Sequence, residues 1–142
     1  MIIRPAVLAD QTRILDLALE QAELYPRMRP DTDKMKALIV DSISAPRHYA
    51  IVVQEHQVDG VLLAFTSNNA WAQRQNCAVM LWVSKVPGEG ATLLRSFRDW
   101  VKGRRAIRVA GFAPDVELDP RVWILAERIG FERHGGAYLL YN

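Results

Sequence analysis

Leu81-Trp82-Val83-Ser84-Lys85-Val86-Pro87-Gly88-Glu89-Gly90-Ala91-Thr92-Leu93-Leu94 is the stretch whose reading decides the fold. An apolar run with strand character breaks at Pro87, passes two glycines and opens into an amphipathic helix. That layout aims free backbone N–H groups at a phosphate: glycines let the ligand approach, and a helix N-terminus supplies donors and partial positive charge. A Pro-Gly-x-Gly turn can also be plain punctuation between strand and helix, so the neighbouring segments have to decide. The dinucleotide fingerprint fails because Leu93 stands where its third glycine belongs, and the nucleotide-triphosphate loop fails because no Gly-Lys-Ser/Thr follows.

Working outward, residues 76–83 read as a strand. The helix from Gly88 carries Leu93, Leu94, Phe97, Trp100 and Val101 on its core face and ends at Gly103, before a strand over 106–112. Upstream, 49–54 and 58–65 are rich in Val, Ile and Leu, with a hairpin turn at His56-Gln57 or at Asp59-Gly60. Residues 2–6 form a first strand. Asp10 then caps a helix whose Ile14, Leu17, Ala18 and Leu24 recur at helical spacing. Tyr25-Pro26-Arg27-Met28-Arg29-Pro30 breaks that helix, and Asp31 or Asp33 caps a second one bearing Met35, Leu38, Ile39 and Ile43, stopped by Pro46. The last helix has Asp119 as cap, Pro120 at its first position and Gly130 just past its end. Residues 131–134 and 137–141 then make a hairpin across Gly135-Gly136. The sum is an α/β layered domain of about seven strands and four helices.

Ile2-Ile3-Arg4-Pro5-Ala6 leading into a helix, the Gly88–Gly90 turn, and Leu125-Ala126-Glu127-Arg128-Ile129-Gly130-Phe131 stand in an order and spacing that resemble the GCN5-related N-acetyltransferase (GNAT) family. The resemblance runs over nearly the whole chain. It implies one domain over residues 1–142 with a GNAT-like acyl-CoA N-acyltransferase fold, a mixed central sheet flanked by helices. Acetyl-CoA would be the cosubstrate, and an amine on a small molecule or protein the acceptor. In the family, an Arg or Gln, two free positions, Gly, one free position and Gly or Ala wrap the CoA pyrophosphate. Anchored on the helix, Lys85, Gly88 and Gly90 take those places. The implied cofactor contacts are Leu81, Trp82, Val83, Lys85, Val86, Pro87, Gly88, Glu89, Gly90, Ala91 and Thr92. Anchored on the strand instead, the loop is about three residues shorter than usual. The resemblance also favours Gly60 inside a strand, at a bulge or close contact. Arg95, Arg98, Lys102, Arg104 and Arg105 either reach the CoA 3′-phosphate or form a solvated helix face. The compact form, short loop and ending 130–138 are similar to small phage and prophage members.

Family chemistry implies direct attack by a neutral amine on the thioester, with an oxyanion held by a backbone N–H near Leu81 to Val83. Two departures bear on the protons. The Tyr that commonly protonates the departing thiolate falls at Ala126, and an Asn often found earlier on that helix falls near Pro120. Tyr138 and Tyr141 are substitute acids. The strand 76–83 has no carboxylate, which leaves Asp115, Glu117 and Asp119 as candidates for base or amine-binding group. Tyr25, Arg27 and Arg29 occupy the segment that selects the acceptor, where two arginines hint at an acidic or phosphorylated molecule. A binding module that has kept the fold and lost the chemistry is the competing reading.

Composition bounds the rest. The 142 residues are 50% apolar and 24% charged, as in an ordinary soluble domain. A net charge of +2 argues against nucleic acid as an obligatory partner. No run approaches membrane-spanning length, and Met1-Ile2-Ile3-Arg4-Pro5 lacks the layout of a secretory signal. Cys77 is alone, which fits a reducing cytoplasm and offers no nucleophile without a neighbouring base. His48, His56 and His134 have no metal-ligand spacing. Monomer and homodimer are both open.

Overall fold

A computed structural model describes residues 1–23, 29–112, 120–134 and 140 of the chain. The elements are β1 (Ile2–Pro5), α1 (Gln11–Ala22), α2 (Thr32–Ser44), β2 (Tyr49–Gln54), β3 (Val58–Asn68), β4 (Gln75–Ser84), α3 (Glu89–Lys102), β5 (Ile107–Gly111) and α4 (Pro120–Ile129). The strands form one sheet in the order β1-β2-β3-β4-β5. The first three pairings are antiparallel and the last is parallel, because α3 carries the chain from the end of β4 back to the start of β5.

Alternation along the central strands splits the core into two layers. Val52, Val61 and Leu63 face Ile14, Leu15 and Leu17 of α1 and Ile39 of α2. Ile51, Val53, Leu62, Ala64 and Cys77 face Leu93, Leu94 and Phe97 of α3 with Ala126 and Ile129 of α4. β3 is buried on both faces, which is why 61–64 is an unbroken apolar run rather than an alternating one.

Local signals end the helices largely as expected. Asp31 caps α2 by accepting from Lys34 N at 3.1 Å. Gly130, at φ 117°, ends α4: its amide donates to Glu127 O and the Phe131 amide to Ala126 O, the paired closure of a Schellman motif. Asp10 is a correction. It makes no side-chain cap on α1. A 3-10 turn, Leu8–Asp10, precedes that helix, and the Asp10 carboxylate takes two hydrogen bonds from the Arg4 guanidinium (2.7 and 2.9 Å) and one from Val7 N. A buried carboxylate gains more from a bidentate guanidinium than from one helix amide.

The hairpin turns at 55–57, and β3 runs three residues past Phe65. Gly60 lies within β3, beside a register shift in which Val53 pairs with Gly60 and Gln54 with Val58. A Cβ there would sit 3.1 Å from Ser84 Oγ and 3.2 Å from Val83 O, so β4 approaches a position that only glycine leaves open. Among the described residues there are five strands. Residues 131–134 join no ladder, and 137–141 lie outside the described residues except for Leu140.

Candidate active site

β4 is paired along its whole length with β3, but with β5 only from Gln75 to Ala78. From Val79 to Ser84 its other edge has no strand partner among the described residues. The sheet therefore opens where β4 runs towards α3. A bulge sits at the opening: Leu63 pairs with Leu81 and Ala64 with Val79, leaving Met80 as the extra residue. A bulge bends its strand and leaves one residue's backbone groups unpaired. It also resets the faces, so Val79 and Trp82 both pack towards α3 while Leu81 and Val83 pack towards α1 and α2.

Side-chain hydrogen bonds shape the loop that follows. Ser84 Oγ accepts from Val86 N at 3.1 Å and donates to Val86 O at 3.0 Å. Lys85 N donates to Asp59 O, and Glu89 N to Val86 O. Gly88 is left-handed (φ 81°), and nothing lies within 4 Å of where its Cβ would point, so the outer side of the turn is open. Backbone conformation, not crowding, requires glycine there. No side chain caps α3, and the amides of Gly88, Gly90 and Ala91 donate to no backbone group among the described residues. A helix end with unused donors is a site prepared for an anion. Trp82 Nε1 donates to Gly90 O at 2.9 Å, and its ring packs on Phe112, so an indole fills the inner side of the turn. Glu89 opens α3 with Oε2 buried and unpartnered, a negative charge that works against a phosphate at the same end.

Among solved structures, the ribosomal-protein-alanine N-acetyltransferase from Brucella melitensis biovar Abortus 2308 is similar over all of both chains, at 16% identity and a TM-score of 0.68. An aminoglycoside acetyltransferase from an uncultured soil metagenomic sample, solved with sisomicin, is similar at 12% identity and 0.71, covering 99% of this chain and 95% of that one. The chain has the GNAT-like fold. A transcriptional regulator from Bacillus halodurans C-125 shares this fold at 16% identity and 0.73, with 99% of each chain covered. The GNAT-like fold thus does not by itself set the chemistry. No family model matches the chain, and no curated protein matches it.

On this GNAT-like frame, Leu81 to Thr92 line one continuous path from the bulge through the turn into α3. Lys85 Nζ is paired with Glu20 of α1 at 2.7 Å rather than turned towards the open side. Ala126 is buried in the core, and its carbonyl accepts from Gly130 and Phe131, so that position offers no proton donor. Arg29 is exposed at φ 48° just before α2. Tyr25, Arg27, Asp115, Glu117, Asp119, Tyr138 and Tyr141 lie outside the described residues. His134 is exposed beside Glu132. Burial pushes the Cys77 thiol up, which keeps it an unreactive core group.

His48 is a residue whose place the sequence did not reveal. Its Nδ1 accepts from Thr66 N at 3.0 Å and its ring lies 4.4 Å from that of Phe65, locking the α2–β2 turn onto β3. Burial, with Arg47 adding to it, holds the imidazole below its ordinary pKa, and Asp41 opposes. No local pattern marks a structural histidine; Val-rich 49–54 after Pro46 located the turn and nothing more. No group of three His, Cys, Asp or Glu among the described residues could hold a metal ion. None of the described helices is long and apolar enough to cross a membrane.

Proposed function

We propose that the protein is an acetyl-CoA-dependent N-acetyltransferase acting on a primary amine. The observation that carries this reading is β4, without a strand partner on one edge beyond Ala78 among the described residues and running through left-handed Gly88 into an uncapped α3. The backbone fits the cosubstrate, with the Glu89 carboxylate opposing: unused amides of Gly88, Gly90 and Ala91 would hold the pyrophosphate, and the exposed edge of β4 leading to the bulge would take the pantetheine. There the unpaired backbone near Leu81 holds the developing oxyanion. The amine's lone pair forms the new C–N bond as the C–S bond breaks, and the thiolate carries off the electron pair. Holding both reactants at the opening removes much of the entropic barrier. With Ala126 in place of a tyrosine, proton delivery falls to Tyr138 or to water, and Asp115 or Glu117 accepts the amine's proton. General acid–base help contributes about 10²–10⁴-fold, so such an enzyme turns over slowly rather than not at all. Tyr25, Arg27 and Arg29 belong to the segment that the resemblance assigns to acceptor choice, and the two arginines favour an acidic acceptor.

Also part of this proposal are a single domain over 1–142, a cytoplasmic site of action and a phage-like origin, the last supported by the short loop and the sequence of residues 130–138. Titration calorimetry with acetyl-CoA tests the reading. Heat and a raised melting temperature are expected, both lost in Gly88→Asp. No heat and no thermal shift at millimolar cosubstrate would overturn it.

Buried Ala126 and the unpartnered Glu89 carboxylate favour one alternative, a module that retains the fold without catalysis. Cosubstrate binding without free-thiol release across a panel of amines and proteins would select it. Release that disappears in Gly88→Asp would end it.

A further inference from the structure

The opposite end of β4 carries a second surface, unrelated to the cosubstrate loop. Three turns meet there: 45–48 between α2 and β2, 69–74 between β3 and β4, and 103–106 between α3 and β5. Arg74 ties two of them, donating through Nε to Arg105 O and through Nη2 to Ile107 O, both at 2.9 Å. Arg104 ties the third, with Nη2 on Pro46 O at 3.1 Å and its guanidinium 4.5 Å over the Trp100 ring. These links gather Arg47, Arg74, Lys102, Arg104, Arg105 and Arg108, all exposed, at one end of the sheet. They are six of the chain's 18 Lys and Arg, so a net charge of +2 conceals a local concentration. Of the carboxylates beside them, Asp99 pairs with Arg98 at 2.9 Å and Asp41 acts electrostatically on His48, next to Arg47. None of the six has a carboxylate partner among the described residues. An open depression of about 600 Å³ runs between Asp99, Trp100, Arg104 and Arg105.

Beside these cations stands Trp71, 96% exposed. Its loop is ordered by amides: Trp71 N donates to Asn69 Oδ1 at 2.8 Å, Asn69 Nδ2 to Asn76 Oδ1 at 3.0 Å, and Gln75 Nε2 to Asn68 Oδ1 at 3.2 Å. An indole held fully in water on a braced loop has lost its burial energy, and gains it back against a flat partner.

We propose that this end of the sheet binds single-stranded nucleic acid, with the arginines on phosphates, Trp71 stacked on a base and the neighbouring carboxamides at base edges. Guanidinium groups grip phosphate in forked pairs, and aromatic platforms hold unpaired bases whatever their identity. An acidic peptide would satisfy the cations but leave the indole without a partner. A duplex keeps its bases stacked away from the indole. The site and the cosubstrate loop lie at opposite ends of β4, so both can be filled at once.

Fluorescence anisotropy with labelled oligouridylate and oligothymidylate of about 16 nucleotides tests this on the whole protein. Binding is expected to weaken steeply between about 50 and 200 mM salt. Arg47→Gln/Arg105→Gln/Arg108→Gln should lower the log–log salt slope by about 2, at roughly 0.7 per lost phosphate contact. Trp71→Ala should weaken binding about 5- to 100-fold and leave the slope unchanged. A stronger response to one oligomer assigns RNA or DNA as the strand. These side chains are exposed, so an unchanged melting temperature confirms that the variants fold. No anisotropy change at about 50 mM salt, wild-type binding by Trp71→Ala, or displacement by polyglutamate as effective as by unlabelled oligomer would each overturn the proposal.

Discussion

The two halves of β4 do opposite things with the same backbone. From Gln75 to Ala78 the strand has partners on both edges, and side chains brace what surrounds it: His48 on Thr66, Arg74 on Arg105 and Ile107. From Val79 to Ser84 one edge has no strand partner among the described residues, and the chain offers backbone amides instead. Among the described residues β5 has five residues against ten in β4, so this parallel pair begins together and does not end together. A strand paired at one end and free at the other is rigid and accessible at once, as a reaction site needs.

Side-chain truncations at the two halves should separate them most widely. Phe97 is completely buried under the paired region, between Tyr49, Trp100 and Phe131, and Phe97→Ala is expected to cost about 3–5 kcal/mol in urea unfolding. Met80 is 57% exposed at the bulge, and Met80→Ala should stay within about 0.5 kcal/mol. Equal losses would mean that the free edge is covered, and the contrast between the halves would fail.

The root of the loop should respond next. Gly60→Ala drives a methyl against Ser84 and the Val83 carbonyl, with an expected loss of about 1–3 kcal/mol. Ser84→Gly removes the Oγ and Cβ contacts but not the carbonyl, and also loses the Oγ bonds to Val86, so in urea titrations the double variant should lose less than the sum of the two single variants. Strict additivity would show that β3 does not press on the loop from below.

The two loop glycines should then diverge. Gly88→Ala puts a Cβ on a left-handed residue, costing roughly 1–2 kcal/mol. Gly90 is helical, and its Cβ would lie no nearer than 3.8 Å to Trp82 Nε1, so Gly90→Ala should stabilise by up to about 1 kcal/mol. Thermal melts of the pair decide between a turn set by conformation and one set by crowding.

Much of this contrast was legible in the chain. Pro120 and Gly130 bracket α4 because helix ends impose local backbone demands that few residues meet. The hydrophobic runs of β2 and β3 located the sheet, while Gly60 read equally as a turn with Asp59 until the GNAT resemblance put it inside the strand. The Met80 bulge left no trace, since one extra residue in an apolar run changes neither composition nor length. Asp10 misled, because an N-cap and an ion-pair partner look alike until Arg4 is placed beside it. The arginine cluster was invisible for a related reason: Arg47, Arg74 and Arg104 are neighbours only through backbone carbonyls on three separate turns. The turn between β4 and α3 could be located from Pro87 and its glycines, but what it holds could not, since backbone donors have no sequence signature.

The smallest expected effect is on pH, and it belongs to the paired half. His48 is held below its ordinary pKa in the fold, so near pH 6 the unfolded chain binds a proton that the folded chain refuses. Stability should therefore fall as pH drops below about 6.5, and the loss should level off once the folded imidazole also titrates. Asp10 acts in a separate window. The Arg4 hydrogen bonds lower its pKa, so its contribution is complete above the ordinary carboxylate value and is lost only at more acid pH. Urea midpoints at pH 7.5 and 5.5 should thus report His48 and not Asp10. His48→Asn, which keeps an acceptor for Thr66 N but cannot ionise, should flatten that dependence. A slope that survives the substitution would move the proton to another group and remove His48 as the lock at the closed end.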